Sequence, residues 1–284
     1  MSTALITPRK LSGTIVAPPS KSYTHRAIIC ALISRGVCEI YPVELSNART
    51  LGAFVNLVSE RLIIDARAAF LKDHITINCS ESGSTLRFLI PIVCAFGISA
   101  KFEGTSTLVL RPMGVFSEIL PKFGVECKYA GVLPFSVSGR LMPGKFLISQ
   151  DISSQFVSGL LFALPLLPED SEIILTTACG SSGYIDMTAK TMEDFGVTVT
   201  KTERGFRIPG NQSYRARNYA VEGDWSQTAF FLAAGAIGEP VTVRGVNPNS
   251  LQGDRIIANL LSRMGANVSF GDDEVTVSPE RLVG

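Results

Sequence analysis

The segment Pro18-Pro19-Ser20-Lys21-Ser22-Tyr23-Thr24-His25-Arg26 sets two cations five residues apart with three hydroxyl side chains between them. A proline turn, small polar residues and then the apolar run Ala27–Ala31 mark the opening of a helix. A lysine in that place stands beside the positive end of the helix dipole, which costs up to about 1 kcal/mol. An anion bound there reverses the balance, because the first turn also offers unpaired N–H groups. On spacing alone, anion binding and a solvated lysine after a proline turn weigh equally. The lone His25 reads as a packing or capping residue rather than a base.

Small hydroxyl-rich turns recur at Ser82-Gly83-Ser84-Thr85, Ser153-Ser154-Gln155 and Asp224-Trp225-Ser226-Gln227, followed by the apolar runs Phe88–Ala95, Phe156–Leu164 and Phe230–Ala236. Taken at Lys21, Ser84, Ser154 and Ser226, the spacings are 63, 70 and 72 residues. A second helix recurs between these turns and stops at a glycine before a strand, in Phe123-Gly124-Val125, Phe195-Gly196-Val197 and Met264-Gly265-Ala266, the glycines lying 72 and 69 residues apart. A glycine there supplies a left-handed cap. Before two of these stops, Val115, Phe116, Ile119, Leu120 and Phe123, and Ile256, Ile257, Leu260, Leu261 and Met264, each fall on one predicted helical face. Hairpins are predicted to turn near Gly131, Arg204-Gly205 and Gly271-Asp272-Asp273. The pattern predicts an α/β chain that repeats a unit of two helices and about four short strands. Helix starts brought together would gather their N–H groups into an anion site. Capping alone accounts for Ser226 and Thr85.

At 284 residues the prior is near two domains. Hydrophobic residues make up 46% and charged residues 18%, and the mean hydropathy is +0.28, which excludes a disordered chain. The 26 Lys+Arg and 25 Asp+Glu leave a net charge of +1, against the basic excess a nucleic-acid binder needs. The apolar runs Phe88–Gly97 and Val157–Leu167 are too short to cross a bilayer, and no basic-then-apolar leader opens the sequence, so a cytoplasmic location is expected. Six cysteines, Cys30, Cys38, Cys79, Cys94, Cys127 and Cys179, are scattered with no Cys-x-x-Cys pair and only His25 and His74 to join them. That spacing predicts no metal site and points to inert thiols.

Pro19-Ser20-Lys21-Ser22-x-x-x-Arg26-Ala27 resembles the N-terminal signature of the 3-phosphoshikimate 1-carboxyvinyltransferase family, the 5-enolpyruvylshikimate-3-phosphate synthases. Six further motifs agree in order: Glu81-Ser82-Gly83-Ser84-Thr85-Leu86-Arg87-Phe88, Leu110-Arg111-Pro112-Met113-Gly114, Ile152-Ser153-Ser154-Gln155-Phe156-Val157-Ser158, Ser181-x-x-Tyr184-Ile185-Asp186, Val221-Glu222-Gly223-Asp224 and Leu251-Gln252-Gly253-Asp254. The resemblance runs the length of the chain. It implies the inverted α/β barrel of the enolpyruvyl transferases, with three similar units per domain in a pseudo-threefold arrangement. It also implies a first domain over residues 21–219 and part of a second, one unit, from 1–20 and 220–284.

The resemblance further implies transfer of the enolpyruvyl group of phosphoenolpyruvate to the 5-hydroxyl of shikimate 3-phosphate, on the way to aromatic amino acids. The reaction passes through a tetrahedral adduct and releases phosphate, with no metal or organic cofactor. Lys21 would touch both substrates and act at the reacting centre. Ser22 and Arg26 would hold shikimate 3-phosphate, Arg26 by a two-point contact with its carboxylate. Ser153, Ser154 and Ser181 would donate to the 3-phosphate, and Tyr184 would pack against the carbocycle. Gln155 would serve both substrates. With Gly83 and Arg111 it would define the phosphoenolpyruvate pocket, where glyphosate also binds in this family. Without the resemblance, Arg111, Tyr184 and Gln155 read as a surface cation, a half-buried strand residue and an ordinary helix position. Asp224 and Asp254 read as caps and turns. No nucleic-acid or membrane partner is implied, and the completed protein is expected to be monomeric.

The sequence departs from the family in several places. Glu81 stands where many members have asparagine, and Asn47 where an acidic residue is common. The sequence stops at Pro279-Glu280-Arg281-Leu282-Val283-Gly284, before the family's aspartate and glutamate that move protons, so the chain alone is expected not to turn over. A catalytically dead substrate-binding protein on the same scaffold therefore stands as the alternative. The related transferase acting on UDP-N-acetylglucosamine is disfavoured, because it has Lys-Asn in place of Lys21-Ser22 and a cysteine in place of Ser106.

Overall fold

The computed structural model describes residues 10–43, 55–58, 61–149, 153–177 and 182–281. In chain order, β1 (Gly13–Val16) precedes α1 (Lys21–Ile33), β2 (Val37–Tyr41), β3 (Val55–Val58) and β4 (Arg61–Asp65). Next come β5 (His74–Asn78), α2 (Gly83–Phe96), β6 (Ser99–Glu103), α3 (Gly114–Ile119), β7 (Val125–Lys128) and β8 (Phe135–Gly139). They are followed by β9 (Lys145–Ile148), α4 (Ser154–Ala163), β10 (Ser171–Leu175), α5 (Ser182–Asp194), β11 (Thr200–Thr202) and β12 (Gly205–Ile208). The last elements are β13 (Tyr219–Ala220), α6 (Trp225–Ile237), β14 (Val241–Arg244), α7 (Ile256–Arg263), β15 (Asn267–Phe270) and β16 (Glu274–Ser278).

The strands form four sheets with one wiring, a parallel pair extended by an antiparallel hairpin: β13-β2-β4-β3, β5-β6-β8-β7, β9-β10-β12-β11 and β1-β14-β16-β15. This is the α/β repeat expected from the sequence. The chain divides into two compact units, Lys21–Val221 with three of the sheets, and Met1–Ser20 with Glu222–Gly284, which holds the fourth. Two leading strands are exchanged. β1 precedes α1 in sequence but pairs with β14, and β13 precedes α6 but pairs with β2.

Local chemistry explains the helix bounds. Ser82 accepts from the Thr85 N–H at 3.2 Å to start α2, and Asp224 accepts from the Gln227 N–H at 2.9 Å to start α6. Gly124, Gly196 and Gly265 take φ of 83°, 84° and 98°, the left-handed stops that the repeat predicted. One expected face is interrupted. The α-helix of α3 ends at Ile119, and Leu120–Phe123 continues as a 3-10 turn with Pro121 near its start, where a missing N–H is tolerated.

In the Lys21–Val221 unit, α1 is buried from Tyr23 to Ile33: its second half, Ala27–Ile33, is apolar all round, and Thr24, His25 and Arg26 are buried before it. α2 lies against α4, and Phe88 meets Phe162 edge-on at 5.3 Å, while Phe116 of α3 meets Phe156 at 4.9 Å. The helices approach closely where Pro91, which has no N–H, cannot serve the Arg87 carbonyl four residues back. Gly159 of α4 occupies that space, and a Cβ there would lie 2.2 Å from the Arg87 oxygen. Four of the described cysteines are buried, and burial pushes the Cys79 thiol up to about 12. Asn47, Ser181 and Cys179 lie outside the described residues.

In the second unit, Trp225, Val243, Val275 and Val277 are fully buried, and α6 and α7 lie against each other. Gln252 joins the two motifs there. It accepts from the Ser20 hydroxyl at 3.1 Å and the Trp225 N–H at 3.0 Å, and donates to Glu222 Oε1 at 2.7 Å and the Gly223 carbonyl at 2.8 Å. Asp254 accepts from the Ser226 hydroxyl. The single apolar face expected for α7 is divided. Ala258 and Leu261 are buried, whereas Ile256, Leu260 and Met264, one turn apart, are 56%, 40% and 45% exposed.

Candidate functional site

Side-chain hydrogen bonds join the opening turns of four helices in the Lys21–Val221 unit. His25 Nδ1 lies 2.8 Å from Ser84 Oγ, linking α1 to α2, and Arg87 Nη1 donates to Gln155 Oε1 at 2.8 Å, linking α2 to α4. Arg26 links α1 to α5, donating from Nε to Thr188 Oγ1 at 2.9 Å and from Nη2 to the Tyr184 carbonyl at 2.9 Å. Its Nη1 donates to the Ser22 carbonyl at 2.8 Å. The Ser158 and Thr188 hydroxyls, 2.9 Å apart, close the ring between α4 and α5. All these contacts fall within the first two turns of their helices. Four sets of helix N–H groups therefore share one end of the unit, a region of positive potential before any side-chain charge is added.

The side chains add more positive charge. Arg26 is 4% exposed, with its guanidinium 5.7 Å from the centre of the Phe88 ring and 5.8 Å from that of Tyr184. Burial pulls it down to about 10, which leaves it charged at neutral pH. Arg87 is 6% exposed and stacks over Phe156 at 4.8 Å; burial first, and the neighbouring Arg111 second, pull it down. Burial, then the charges of Arg26 and Lys21, hold His25 down at about 4, so its ring is neutral. Among the described residues no carboxylate lies within ion-pair distance of Arg26, Arg87 or Arg111. Two buried cations, Arg26 and Arg87, and the exposed Arg111, none with a carboxylate partner among the described residues, make a receptor for anions.

The residues singled out from sequence fall into two groups. Ser22, Arg26 and Tyr184 meet through the bonds of Arg26, and the Tyr184 side chain is 43% exposed on α5, a helix rather than a strand. Arg26 already acts as a strut between helices, with one N–H left on each terminal nitrogen. Gly83, Arg111 and Gln155 meet around Arg87. A Cβ on Gly83 would lie 3.0 Å from Arg111 Nη1 and 3.7 Å from Arg87 Nη1. Gly83 is thus the bare first residue of α2 beneath two guanidinium groups. Lys21 is exposed at the first position of α1. Ser153 caps α4, accepting from the Gln155 N–H at 3.3 Å, and Ser154 is buried beside it.

Sequence reasoning missed Arg87 as a functional residue. Arg87 belongs to the motif that opens α2, yet the sequence by itself assigns it no role. The signal was its place one helical turn after Gly83, which brings it to the same face.

A family profile described as EPSP synthase (3-phosphoshikimate 1-carboxyvinyltransferase) matches residues 6–283. A protein of Clostridium botulinum (strain Eklund 17B / Type B) named 3-phosphoshikimate 1-carboxyvinyltransferase is 43% identical over 288 residues, covering 96% of this chain and 66% of the relative. One of the same name from Clostridioides difficile (strain 630) is 41% identical, with 94% and 66% covered. The chain thus spans 66% of the length of these relatives. Among solved structures, EPSP synthase from Acinetobacter baumannii superposes with a TM-score of 0.77 at 20% identity, over 94% of this chain and 64% of that one. The enolpyruvyl transferase NikO from Streptomyces tendae gives 0.70 at 16%, over 95% and 66%. These two share the fold, while the profile and the relatives show that the chain belongs to the EPSP synthase family.

Proposed function

We propose that the Lys21–Val221 unit binds shikimate 3-phosphate and phosphoenolpyruvate for transfer of the enolpyruvyl group to the 5-hydroxyl. The observation that carries this reading is the set of cations, Arg26, Arg87 and Arg111, without carboxylate partners among the described residues, gathered where four helices begin. The two substrates together bring two phosphates and two carboxylates, the charge such a receptor needs.

In this reading residues 21–219 form the first enolpyruvyl transferase domain, and 1–20 with 220–284 belong to the second. Ser153, Ser154 and Ser181 donate to the 3-phosphate, Ser22 joins Arg26 in holding shikimate 3-phosphate, and Tyr184 covers the carbocycle. Arg26 faces the carboxylate of shikimate 3-phosphate with its two remaining N–H groups. Gly83 and Arg111 hold phosphoenolpyruvate, and Gln155 serves both substrates. Attack of the 5-hydroxyl oxygen on C2 forms the new C–O bond as the hydroxyl gives up its proton and the methylene carbon takes one. The methyl group of this adduct then loses a proton as the C2–O bond to phosphate breaks, which releases phosphate and restores the double bond. Lys21, at the start of α1 and within reach of both ligands in this arrangement, steadies the negative charge that shifts during these steps.

The reading predicts that shikimate 3-phosphate binds at least roughly tenfold more tightly than shikimate, since each charge-assisted hydrogen bond to the phosphate contributes about 1.5–3 kcal/mol. Calorimetry with both ligands is the test. Equal affinities would overturn the phosphate assignment.

A further inference from the structure

Two hydrogen-bond donors of this site have no partner among the described residues. Arg87 Nε is buried and bonds to no acceptor. Gln155 Nε2 likewise donates to no group among the described residues, although Gln155 Oε1 is fixed by Arg87 Nη1 at 2.8 Å. An arginine only donates, so it takes the oxygen of a facing amide and turns the NH2 the other way. The Arg87 plane is itself held by the Phe156 ring at 4.8 Å, and its main chain by the close approach of Gly159. Arg87 therefore has a fixed position from which to decide how the Gln155 amide points.

We propose that Arg87 is a positioning residue that locks the Gln155 amide with its NH2 toward the anion pocket, making Gln155 a donor to the phosphate group bound beside Gly83 and Arg111. An amide free to rotate would spend part of its time presenting its oxygen, which repels an anion. Holding it beforehand removes that loss and the ordering cost of binding. The second positive charge behind the amide strengthens its donor end. This inference rests on the reading of Gly83, Arg111 and Gln155 as an anion pocket and adds how the pocket is oriented.

The probes are inorganic phosphate and phosphoenolpyruvate, titrated by calorimetry into the whole chain. Arg87→Met is expected to weaken phosphate roughly tenfold, and Arg87→Lys, which also only donates, to restore affinity to within about threefold. In a Gln155→Ala background, Arg87→Met is expected to cost less than about threefold, because the residue through which it acts is gone. Gln155→Glu keeps an acceptor for Arg87 and removes the donor. It is expected to retain the thermal midpoint and lose phosphate binding. An equal cost of Arg87→Met in both backgrounds, retained binding by Gln155→Glu, or no saturable phosphate binding by the unaltered chain each overturns the proposal. Failures are separable. Arg87-dependent phosphate binding without preference for shikimate 3-phosphate over shikimate sinks the substrate reading alone, whereas intact preference with unaltered phosphate and phosphoenolpyruvate affinity in Arg87→Met sinks the positioning role alone.

Discussion

The ring of His25 meets the hydroxyl of Ser84 at 2.8 Å, so a neutral imidazole ties the first turn of α1 to the first turn of α2. Burial and the nearby cations hold this histidine down at about 4, against 6.5 in an unfolded chain. The unfolded state therefore takes up a proton as the pH falls through 6.5, and the folded state resists until about 4. Stability contributed by the neutral ring is complete above 6.5 and is lost on acidification, up to about 3 kcal/mol in all. His25→Gln, which keeps a hydrogen-bonding group without the titration, is expected to lose less stability between neutral pH and the lower value. Urea midpoints of both proteins across that window measure this. Parallel curves would remove His25 as the cause.

Gly83→Ala separates stability from binding. The position has ordinary helical geometry, so alanine is expected to leave the fold unharmed or strengthen it by up to ~1 kcal/mol. The new methyl group would meet Arg111 Nη1 at 3.0 Å, and that exposed side chain can swing aside only by leaving its place over the helix start. Phosphoenolpyruvate affinity is expected to fall roughly tenfold while the melting temperature holds. A lower melting temperature with unchanged affinity would show that Gly83 serves packing instead.

Arg111→Ala is expected to weaken phosphoenolpyruvate roughly tenfold to a hundredfold and to change shikimate 3-phosphate less than about threefold. The side chain is exposed, so stability is expected to stay within about 0.5 kcal/mol. Paired titrations with the two ligands are the check. Equal losses for both would merge the two proposed subsites into one.

Gly159→Ala tests the contact between α2 and α4. A methyl group cannot fit 2.2 Å from the Arg87 carbonyl oxygen and 3.2 Å from the Pro91 ring without moving one helix. A loss of about 1–3 kcal/mol is expected from such overpacking. Gly253→Ala, whose added carbon would meet nothing within 4 Å, is the control. Similar urea midpoints for the two variants would show that the helices part easily.

The repeat was legible because its signals are local. Ser82, Ser153 and Asp224 cap the helices that follow them, and Gly124, Gly196 and Gly265 adopt the conformation their positions announced. Features set by what lies across a helix were not legible. Arg87 looks like a break in an apolar run until α4 supplies Gln155 and Phe156, the latter packed on Phe116 of α3. The α7 pattern likewise showed five apolar residues, but only the packing of its own unit separates buried Leu261 from exposed Ile256. Arg26 was found by type and spacing, while its role as a strut needed Thr188, more than 150 residues away.

The exchange of β1 and β13 sets a timetable for synthesis. Gly13 pairs with Val241, so at about 5–20 residues per second β1 leaves the ribosome roughly ten to fifty seconds before its partner exists. Residues Lys21–Val221, by contrast, form an unbroken stretch that contains all three of its sheets, and β13 finds β2 as soon as it emerges. Nascent chains arrested before Val241 are therefore expected to resist protease across that stretch while remaining cleavable around Gly13–Val16. Protection of both segments at that length would mean that β1 has found another partner. β1 is made before every other described strand yet is placed only once β14 emerges, and its four residues are short enough to wait with few exposed edge groups for other chains to capture.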